Sequence, residues 1–276
     1  MKSNTKDLFN FYDEVKDDLN LLIKSDIRVK ILISLSEGAK NISQLKKELN
    51  RSSSTILHGI YQLENKGIII RGSGQYSLAK TGEIYSYKLL DMVKSIHTIE
   101  KCKNIFLNHE IDCIPPELLK DLGYLEDSQL LKSLSTDILR PYQVLYNNIS
   151  ESKKVKHISS ILYAPITRLL FSNISEREIH LLFTREIMDK VLEDVDSQSI
   201  EKYISKGNLK LGVVDDNTKI FFTQGDNFIS LGLYSQRGDY DLNNLLLSES
   251  KDAISWGERL FKYYQGSATD FRDLNI

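Results

Sequence analysis

The N-terminal fold is decided by residues 43–67, which read SQLKKELNRSSSTILHGIYQLENKG. Apolar residues recur at helical spacing on both sides of a polar turn centred on Arg51, and a glycine ends the second run. They are Ile42, Leu45 and Leu49 before the turn and Ile56, Ile60 and Leu63 after it. Asn41 and Gln44 have the spacing of a capping box at the start of the first helix. Two short helices joined by a tight turn are typical of a helix-turn-helix, whose second helix can enter the DNA major groove.

A further helix is predicted upstream of this motif and a β-hairpin downstream of it. Ser25 suits an N-cap and Gly38 suits a left-handed C-cap, and the apolar residues between them share one helical face. Past Gly67, two β-like runs at 68–71 and 75–78 flank a glycine-rich three-residue loop, which predicts a hairpin. A hairpin in this position is a wing whose tip can reach the minor groove or a phosphate.

The second helix of the motif begins with residues suited to DNA contact. Small hydroxyl residues let the backbone approach DNA closely and donate hydrogen bonds to phosphates. His58 and Gln62 can reach base edges, while the nearby basic residues can contact phosphates and make binding depend on salt. The predicted DNA-binding residues are Lys46, Lys47, Arg51, Ser52, Ser53, Ser54, Thr55, His58, Gln62, Arg71, Ser73 and Gln75.

Charge is distributed unevenly along the chain. Residues 41–80 hold six basic and two acidic side chains, a net +4, whereas the whole chain carries −2 and the remainder therefore −6. A basic module joined to an acidic body fits a DNA-binding domain attached to one that does not bind DNA. The alternative is a helix-turn-helix used for protein interaction with no DNA contact, which would leave the basic excess unexplained.

Several segments resemble a known family. Those of the first half, common to many winged helices, are RVKILISLSEG (28–38), SSST (52–55) and QLENKG (62–67). More specific segments are HEIDCIP (109–115), LFTREI (182–187), ISLGLY (229–234), GDYD (238–241) and WGERLF (256–261). Together they resemble archaeal winged helix-turn-helix transcriptional regulators with a methanogenesis-regulator-type (Fil-type) C-terminal sensor domain. The resemblance implies DNA binding by the first part of the chain and effector sensing by the second.

The sequence departs from that family at two places. Leu57 and Tyr61 stand where the family shows small, polar or basic residues facing DNA, which suggests an apolar contact such as one with a thymine methyl group. Residues 163–165, Tyr-Ala-Pro, stand where a His-Pro pair is expected, and this weakens any ligand contact carried over to that position.

A long helix is predicted from Thr81 to about Leu107, and it connects the two parts. Its apolar residues alternate at four-residue and three-residue steps, as the a and d positions of about two heptads do. The seam consists of Tyr85, Leu89, Met92, Ile96 and Ile99. We expect it to form a homodimer that places two winged helices on a palindromic site. The alternative is a core helix that packs within the chain.

The second half alternates strand-like and helical segments and then becomes a strand meander, which predicts an α/β sheet. The arrangement is similar to the phospholipase-D-like sensor domains of some archaeal regulators. Ligands of such sheets bind at the carboxyl edge, where the βα loops converge. The predicted ligand-binding residues are Ser159, Ser160, Tyr163, Thr184 and Arg185. Arg185 could pair with an anionic metabolite, or it could be an ordinary surface residue at a helix start.

The motifs of the common enzyme classes are absent from the sequence. No histidine is followed by lysine two residues later, as a phospholipase-D motif requires, and there is no GxSxG, HExxH, P-loop or CxxC pair. We therefore expect no catalytic residues, no metal site and no cofactor. The competing hypothesis is an enzyme or assembly protein acting on a small anionic metabolite, with the winged helix as an interaction module.

The sequence thus predicts an α+β fold in three parts. A winged helix-turn-helix occupies residues 1–80, a linking dimerisation helix residues 81–108 and an α/β effector-sensing domain residues 109–276. The expected partners are double-stranded DNA, a second copy of the chain and a small-molecule effector, with no membrane. The N-terminus has no apolar signal segment, and no run of about 18 apolar residues occurs, so we expect a cytoplasmic protein.

Overall fold

The computed structural model describes residues 4–195 and 197–274. The chain divides into two compact units, and the boundary falls after Val93. That boundary lies inside one long helix, so the predicted linking segment, residues 81–108, is shared between the two units. Each unit has its own hydrophobic core.

Helices make up most of the N-terminal unit. In chain order its elements are α1 (Thr5–Ile23), α2 (Asp26–Ser36), α3 (Ile42–Leu49), α4 (Ser53–Glu64), β1 (Ile69–Gly72), β2 (Gln75–Leu78) and α5 (Lys80–Lys101), which continues into the second unit. The predicted winged helix-turn-helix is confirmed in α2 to α4 and the following hairpin. The predicted capping box is present as well, because Asn41 and Gln44 exchange hydrogen bonds at the start of α3. Helix α1 is additional to the predicted elements.

Helix α4 packs against the core through one apolar face. Ile56, Ile60 and Leu63 are at most 1% exposed. Gly59 lets α4 lie close to α2, because a Cβ at this position would be 2.9 Å from the Cδ1 of Ile31. The opposite face of α4 is thereby left at the surface.

The hairpin is tighter than the sequence suggested. Gly72 pairs with Gln75, so the loop consists of two residues, 73 and 74, and the prediction of a three-residue loop is wrong. Both loop residues have positive φ, 49° and 78°, the combination of a type I′ turn whose twist matches that of the paired strands. Tyr76 of β2 also forms two backbone hydrogen bonds of 2.9 Å with Lys40, which attach the hairpin to the segment between α2 and α3.

The C-terminal unit is built around one sheet. Its helices are α6 (Lys103–Asn108), α7 (Pro116–Leu119), α8 (Arg140–Glu151), α9 (Ala164–Phe171), α10 (Arg185–Asp194), α11 (Ser197–Ser205) and α12 (Lys251–Ser267). Its strands are β3 (Gln129–Lys132), β4 (Lys154–Ser159), β5 (Glu178–Thr184), β6 (Leu209–Val214), β7 (Phe221–Gln224), β8 (Ile229–Gly232), β9 (Asn244–Ser248) and β10 (Thr269–Asp270). The elements additional to the predicted ones are α7, α8, α11, β3, β9 and β10.

The strands lie in the order β10-β6-β5-β4-β7-β8-β9-β3. The β4, β5 and β6 strands are parallel, and the other neighbours are antiparallel. One apolar cluster joins one face of the sheet to α8, α9, α10 and α11, and a second joins the other face to α6, α7 and α12. The sheet is therefore covered on both faces, which confirms the predicted α/β architecture.

His157 of β4 is a buried polar residue in this sheet. It is 1% exposed, and its Nδ1 lies 2.9 Å from the Oγ1 of Thr223 on β7. Its ring packs edge-on against Phe183 and Phe221, with centroids 6.0 Å and 4.9 Å away. Because burial disfavours the charged imidazolium, the pKa of His157 is lowered to about 3.

Acidification is therefore expected to destabilise the C-terminal unit through His157. In the unfolded chain the imidazole binds a proton as the pH falls below its ordinary pKa of 6.5, whereas the folded one stays neutral down to about pH 3. Its contribution to stability is thus complete above pH 6.5 and declines as the pH falls. Between pH 7 and pH 5 the free energy of unfolding should drop by roughly 2 kcal/mol from this residue. The free energy of unfolding at each pH is measured by urea unfolding, followed through the fluorescence of Trp256, the only tryptophan.

The comparison needs two variants. His157→Asn can keep a hydrogen bond to Thr223 and should lose that part of the pH dependence. His97→Asn, at an exposed position of α5, should retain it. An unchanged pH dependence in His157→Asn would contradict the assignment.

Candidate nucleic-acid interface and sensor sites

The start of α4 is polar and lacks acidic residues. Ser52 caps the helix, its Oγ accepting a hydrogen bond from the backbone N–H of Thr55 at 3.2 Å, and no acid lies in the first turn. Ser54, Thr55 and His58 are exposed, whereas Ser53 is half-buried. A helix N-terminus carries a partial positive charge that favours phosphate, and no acidic residue of the first turn offsets it here.

Gln62 has a structural partner that the sequence did not indicate. Its Oε1 accepts a hydrogen bond from the Nη1 of Arg28 at 2.7 Å, and the residue is half-buried. Arg28 also donates through Nε to the Leu21 carbonyl at 2.5 Å, so it connects α1, α2 and α4. The amide nitrogen of the Gln62 side chain has no hydrogen-bond partner among residues 4–195 and 197–274.

The basic residues divide into paired and unpaired ones. Arg51 lies 3.6 Å from Asp26, which offsets part of its charge. Lys46, Lys47 and Arg71 are exposed and have no acidic partner among residues 4–195 and 197–274. These three side chains provide the unopposed positive charge of the predicted set.

The hairpin presents its predicted residues to solvent. Arg71, Ser73 and Gln75 are all exposed at or beside the turn. The Arg71 guanidinium lies 5.7 Å from the centroid of the Tyr76 ring, a cation–π contact that orients it. The wing therefore carries one oriented cation.

Two apolar residues share the exposed face of α4 with His58. Leu57 is 43% exposed and Tyr61 is 61% exposed. They were noted as departures from the family pattern and were not included among the predicted DNA-binding residues. The signal in the sequence is that both residues fall outside the helical spacing of the core-facing set Ile56, Ile60 and Leu63.

The predicted seam of α5 is mostly at the surface. Tyr85, Met92, Ile96 and Ile99 are between 38% and 53% exposed. Leu89 is only 4% exposed and packs in the N-terminal core, so it contacts its own chain. Helix α1 shows a comparable exposed apolar set, which comprises Leu8, Phe9, Phe11, Tyr12, Val15, Leu19 and Ile23.

The five predicted ligand-binding residues are not gathered into one cavity. Ser159 and Ser160 are engaged locally: Ser159 Oγ donates to the Ile161 carbonyl at 2.7 Å, and Ser160 Oγ donates to the Ile220 carbonyl at 3.0 Å. Thr184 is buried. Tyr163 instead lines a groove between α8 and α9.

Arg185 begins α10, and the anion position at this helix start is already taken. The carboxylate of Asp216 accepts a hydrogen bond from the Arg185 backbone N–H at 2.8 Å. An anionic metabolite would therefore meet a carboxylate there. In the described parts of the chain, no cluster of three or more His, Cys, Asp or Glu could hold a metal ion.

Two family models match the chain. Residues 16–97 match the N-terminal domain of methanogenesis regulatory protein FilR1, and residues 138–267 match its middle domain. The chain belongs to the FilR1 family. The methanogenesis regulatory protein FilR1 of Methanothrix harundinacea (strain 6Ac) is 27% identical over 250 residues, which cover 89% of this chain and 56% of that protein. This FilR1-family chain thus spans little more than half the length of the curated relative it matches.

Solved structures show partial likeness to this FilR1-family chain. The archaeal chromatin protein TrmBL2 aligns with a TM-score of 0.41 and 12% identity, over 93% of this chain and 98% of that one. NucT from Helicobacter pylori aligns with a TM-score of 0.37 and 18% identity, over 52% of this chain and 98% of that one. Within the described residues of the chain, no helix has the length and apolar character needed to cross a membrane.

The Arg28–Gln62 contact gives a prediction about stability. Gln62→Ala removes the acceptor and leaves a half-buried guanidinium N–H unpaired, which costs about 1–2 kcal/mol. Hydrogen exchange of the most protected α4 amides should then become roughly five to thirty times faster. His58→Ala is the control, because His58 is exposed on the same helix. Equal exchange rates in the two variants would show that the contact does not stabilise α4.

Proposed function

We propose that this chain is a transcriptional regulator that binds double-stranded DNA through α4 and the β1–β2 hairpin. The supporting observation is the exposed polar start of α4 beside the unpaired cations Lys46 and Lys47, with Arg71 on the hairpin. The core covers the face of α4 that carries Ile56, Ile60 and Leu63, so the opposite face, with His58 beside Leu57 and Tyr61, is the one available to a partner. Membership of the FilR1 family supports the same function.

Each group has a distinct role in this proposal. The hydroxyl groups and free N–H groups at the α4 start contact phosphates, together with Lys46, Lys47 and Arg71. His58, from the middle of α4, and the amide nitrogen of Gln62, one turn later in the last turn of the helix, contact base edges in the major groove. The C-terminal unit senses a small molecule and changes DNA affinity without catalysing a reaction.

We also propose that the regulator acts as a homodimer. With three unopposed cations in its predicted DNA-binding set, one winged helix neutralises few phosphates, so it binds weakly by itself. The exposed apolar residues of α5 would be covered by a second copy. Two linked winged helices then bind two half-sites of a palindrome.

The proposed function is tested by fluorescence anisotropy of the full chain with a mixed-sequence duplex pool at two salt concentrations. We expect binding that weakens steeply with salt. Absence of binding even at very low salt would favour the competing hypothesis of an enzyme or assembly protein that uses the winged helix for interaction.

Two substitutions separate phosphate contact from base contact. Arg71→Ala should weaken binding about equally for all sequences and reduce the salt slope by about one, because one phosphate contact is lost. His58→Ala should keep the slope and relax the preference at one base position. Anisotropy at several salt concentrations measures the salt slope. Selection of bound duplexes from a random library measures the base preference. The control is Lys206→Ala, at an exposed lysine of the other unit, which should change neither quantity. A changed site preference in Arg71→Ala would contradict the phosphate contact and would mean that the hairpin contacts bases.

The dimer is tested at the exposed seam. The double variant Met92→Glu and Ile96→Glu places charges on exposed apolar positions and should convert the dimer to a monomer. Tyr87→Glu, which is 68% exposed and lies off the seam, should leave the dimer intact. Sedimentation equilibrium measures the mass. A monomeric unmodified chain at micromolar concentration would contradict the proposal.

A further inference from the structure

A groove between α8 and α9, here named the tyrosine groove, has the size of a small-molecule site. It is open to solvent and has a volume of about 410 Å³, within the range of roughly 300–1,000 Å³ typical of ligand pockets. Its lining consists of Leu139, Tyr142, Gln143, Tyr146, Asn147, Tyr163, Pro165 and Ile166. Of the predicted ligand-binding residues, Tyr163 is in this lining.

Three aromatic rings dominate the groove. Tyr142 and Tyr163 are in contact, with ring centroids 4.7 Å apart and planes inclined by 44°. Tyr146 is 42% exposed, so it presents open ring surface. Tyr142 is only 2% exposed and packs against the Tyr163 ring, so a ligand must lie against the open ring surfaces of Tyr163 and Tyr146. Flat surfaces of this kind are matched by a flat ligand.

Polar groups without partners surround the rings. Gln143 and Asn147 stand one helical turn apart on α8 and are exposed. Their side-chain amides, and the hydroxyls of Tyr146 and Tyr163, have no hydrogen-bond partner among residues 4–195 and 197–274. They offer both donors and acceptors to the edge of a ligand.

The lining contains no charged side chain. An anion would find no cation there, and burying an unpaired charge is costly. A cation would find aromatic faces, but no carboxylate and no enclosing cage, since two of the three rings lie against each other. The uncharged lining therefore selects an uncharged ligand.

We propose that the tyrosine groove binds an uncharged planar ring compound whose edge carries hydrogen-bonding groups. The site deepens the proposed sensor role of the C-terminal unit, although binding to the groove can be measured without DNA.

Two sets of side-chain hydrogen bonds, joined by the peptide bond between Tyr240 and Asp241, connect the groove to α6. The Tyr142 hydroxyl donates to the Tyr240 hydroxyl at 2.8 Å. The next residue, Asp241, accepts a hydrogen bond from the Nε2 of His109 at 2.8 Å. The other ring nitrogen of His109, Nδ1, lies 2.9 Å from the carbonyl oxygen of Ile105 in α6.

Tyr240 has little freedom to move independently. A Cβ at Gly232 of β8 would lie 2.1 Å from its hydroxyl oxygen, so the strand and the phenol are in close contact. If a ligand displaces Tyr142, Tyr240 must move with it, and so must β8 or the segment that carries Asp241. Helix α6 follows α5 directly after Cys102, so this path ends beside the helix proposed to form the dimer.

Binding is tested on the full chain with indole as the planar probe, by ligand-observed NMR titration. Tetramethylammonium is the cationic probe and cyclohexanol the uncharged, non-planar one. We expect indole to bind one site and the other two probes to bind at least about tenfold more weakly. Loss of one stacking ring should weaken indole binding about tenfold in Tyr146→Ala and in Tyr163→Ala. Tyr263→Ala, at an exposed tyrosine of α12, should leave it unchanged.

The outcomes are separable. No detectable indole binding, or equal weakening in all three variants, would overturn the site. Tighter binding of tetramethylammonium than of indole would overturn the assigned ligand class. Because Tyr146 is exposed, Tyr146→Ala is expected to fold even if Tyr163→Ala does not. DNA binding plays no part in this experiment, so its result does not depend on the proposed regulator function.

The hydrogen-bond path is tested with Tyr240→Phe, which removes one hydroxyl outside the groove lining. Indole affinity should stay within about twofold of the unmodified chain. Indole should alter hydrogen exchange of the α6 amides in the unmodified chain, and this change should be lost in Tyr240→Phe. A ligand effect on α6 that persists in the variant would show that another path carries it.

Discussion

The burial of one face of α4 is the constraint on which the N-terminal unit depends. Ile56, Ile60 and Leu63 are packed out of solvent, and Gly59 allows close contact with Ile31 of α2. A helix held this tightly cannot rotate, so the residues on its other face have fixed directions. The Arg28–Gln62 hydrogen bond adds a polar restraint on the same helix. A rigid recognition surface reduces the ordering cost of binding, because fewer side chains and backbone segments need to be immobilised.

The positive charge that this unit can offer to a partner is smaller than a count of its basic residues implies, because acidic neighbours offset several of them. Arg51 and Lys66 are each near an aspartate, at 3.6 Å and 2.6 Å. Lys40, between Glu37 and Glu48, is held in an internal network in which the Lys40 ammonium lowers the pKa of Glu48. Of the predicted DNA-binding cations, those without an acidic partner among the described residues are Lys46 and Lys47 near the end of α3 and Arg71 on the hairpin. Exposed ion pairs can exchange partners at little cost, so Arg51 remains able to contact a phosphate.

The C-terminal unit separates two kinds of polar residue. At the carboxyl edge of the parallel strands, serine, threonine and aspartate side chains mostly bond to the protein itself, as Ser160 does with the Ile220 carbonyl. In the tyrosine groove, by contrast, the side-chain amides of Gln143 and Asn147 and the hydroxyls of Tyr146 and Tyr163 have no hydrogen-bond partner among the described residues. Polar groups that already satisfy one another stabilise loops, whereas unsatisfied ones beside an aromatic surface can recognise a ligand. For this reason the proposed sensor site is the tyrosine groove between α8 and α9, and not the carboxyl edge of the sheet.

The sequence by itself determined the winged helix-turn-helix, the long α5 helix and the alternation of strands and helices in the second half. Each is encoded locally, by periodic apolar residues, by caps such as Asn41 and by turn residues such as Gly74. Only the tertiary structure decided that Gln62 is bonded to Arg28, that Leu89 is buried, and that Tyr163 lies with Tyr142 and Tyr146. These contacts join residues that are distant in the chain or on different helices, and their pairing is set by how the helices pack. No local pattern records that packing, since the same apolar spacing serves a buried core face and an exposed seam equally well.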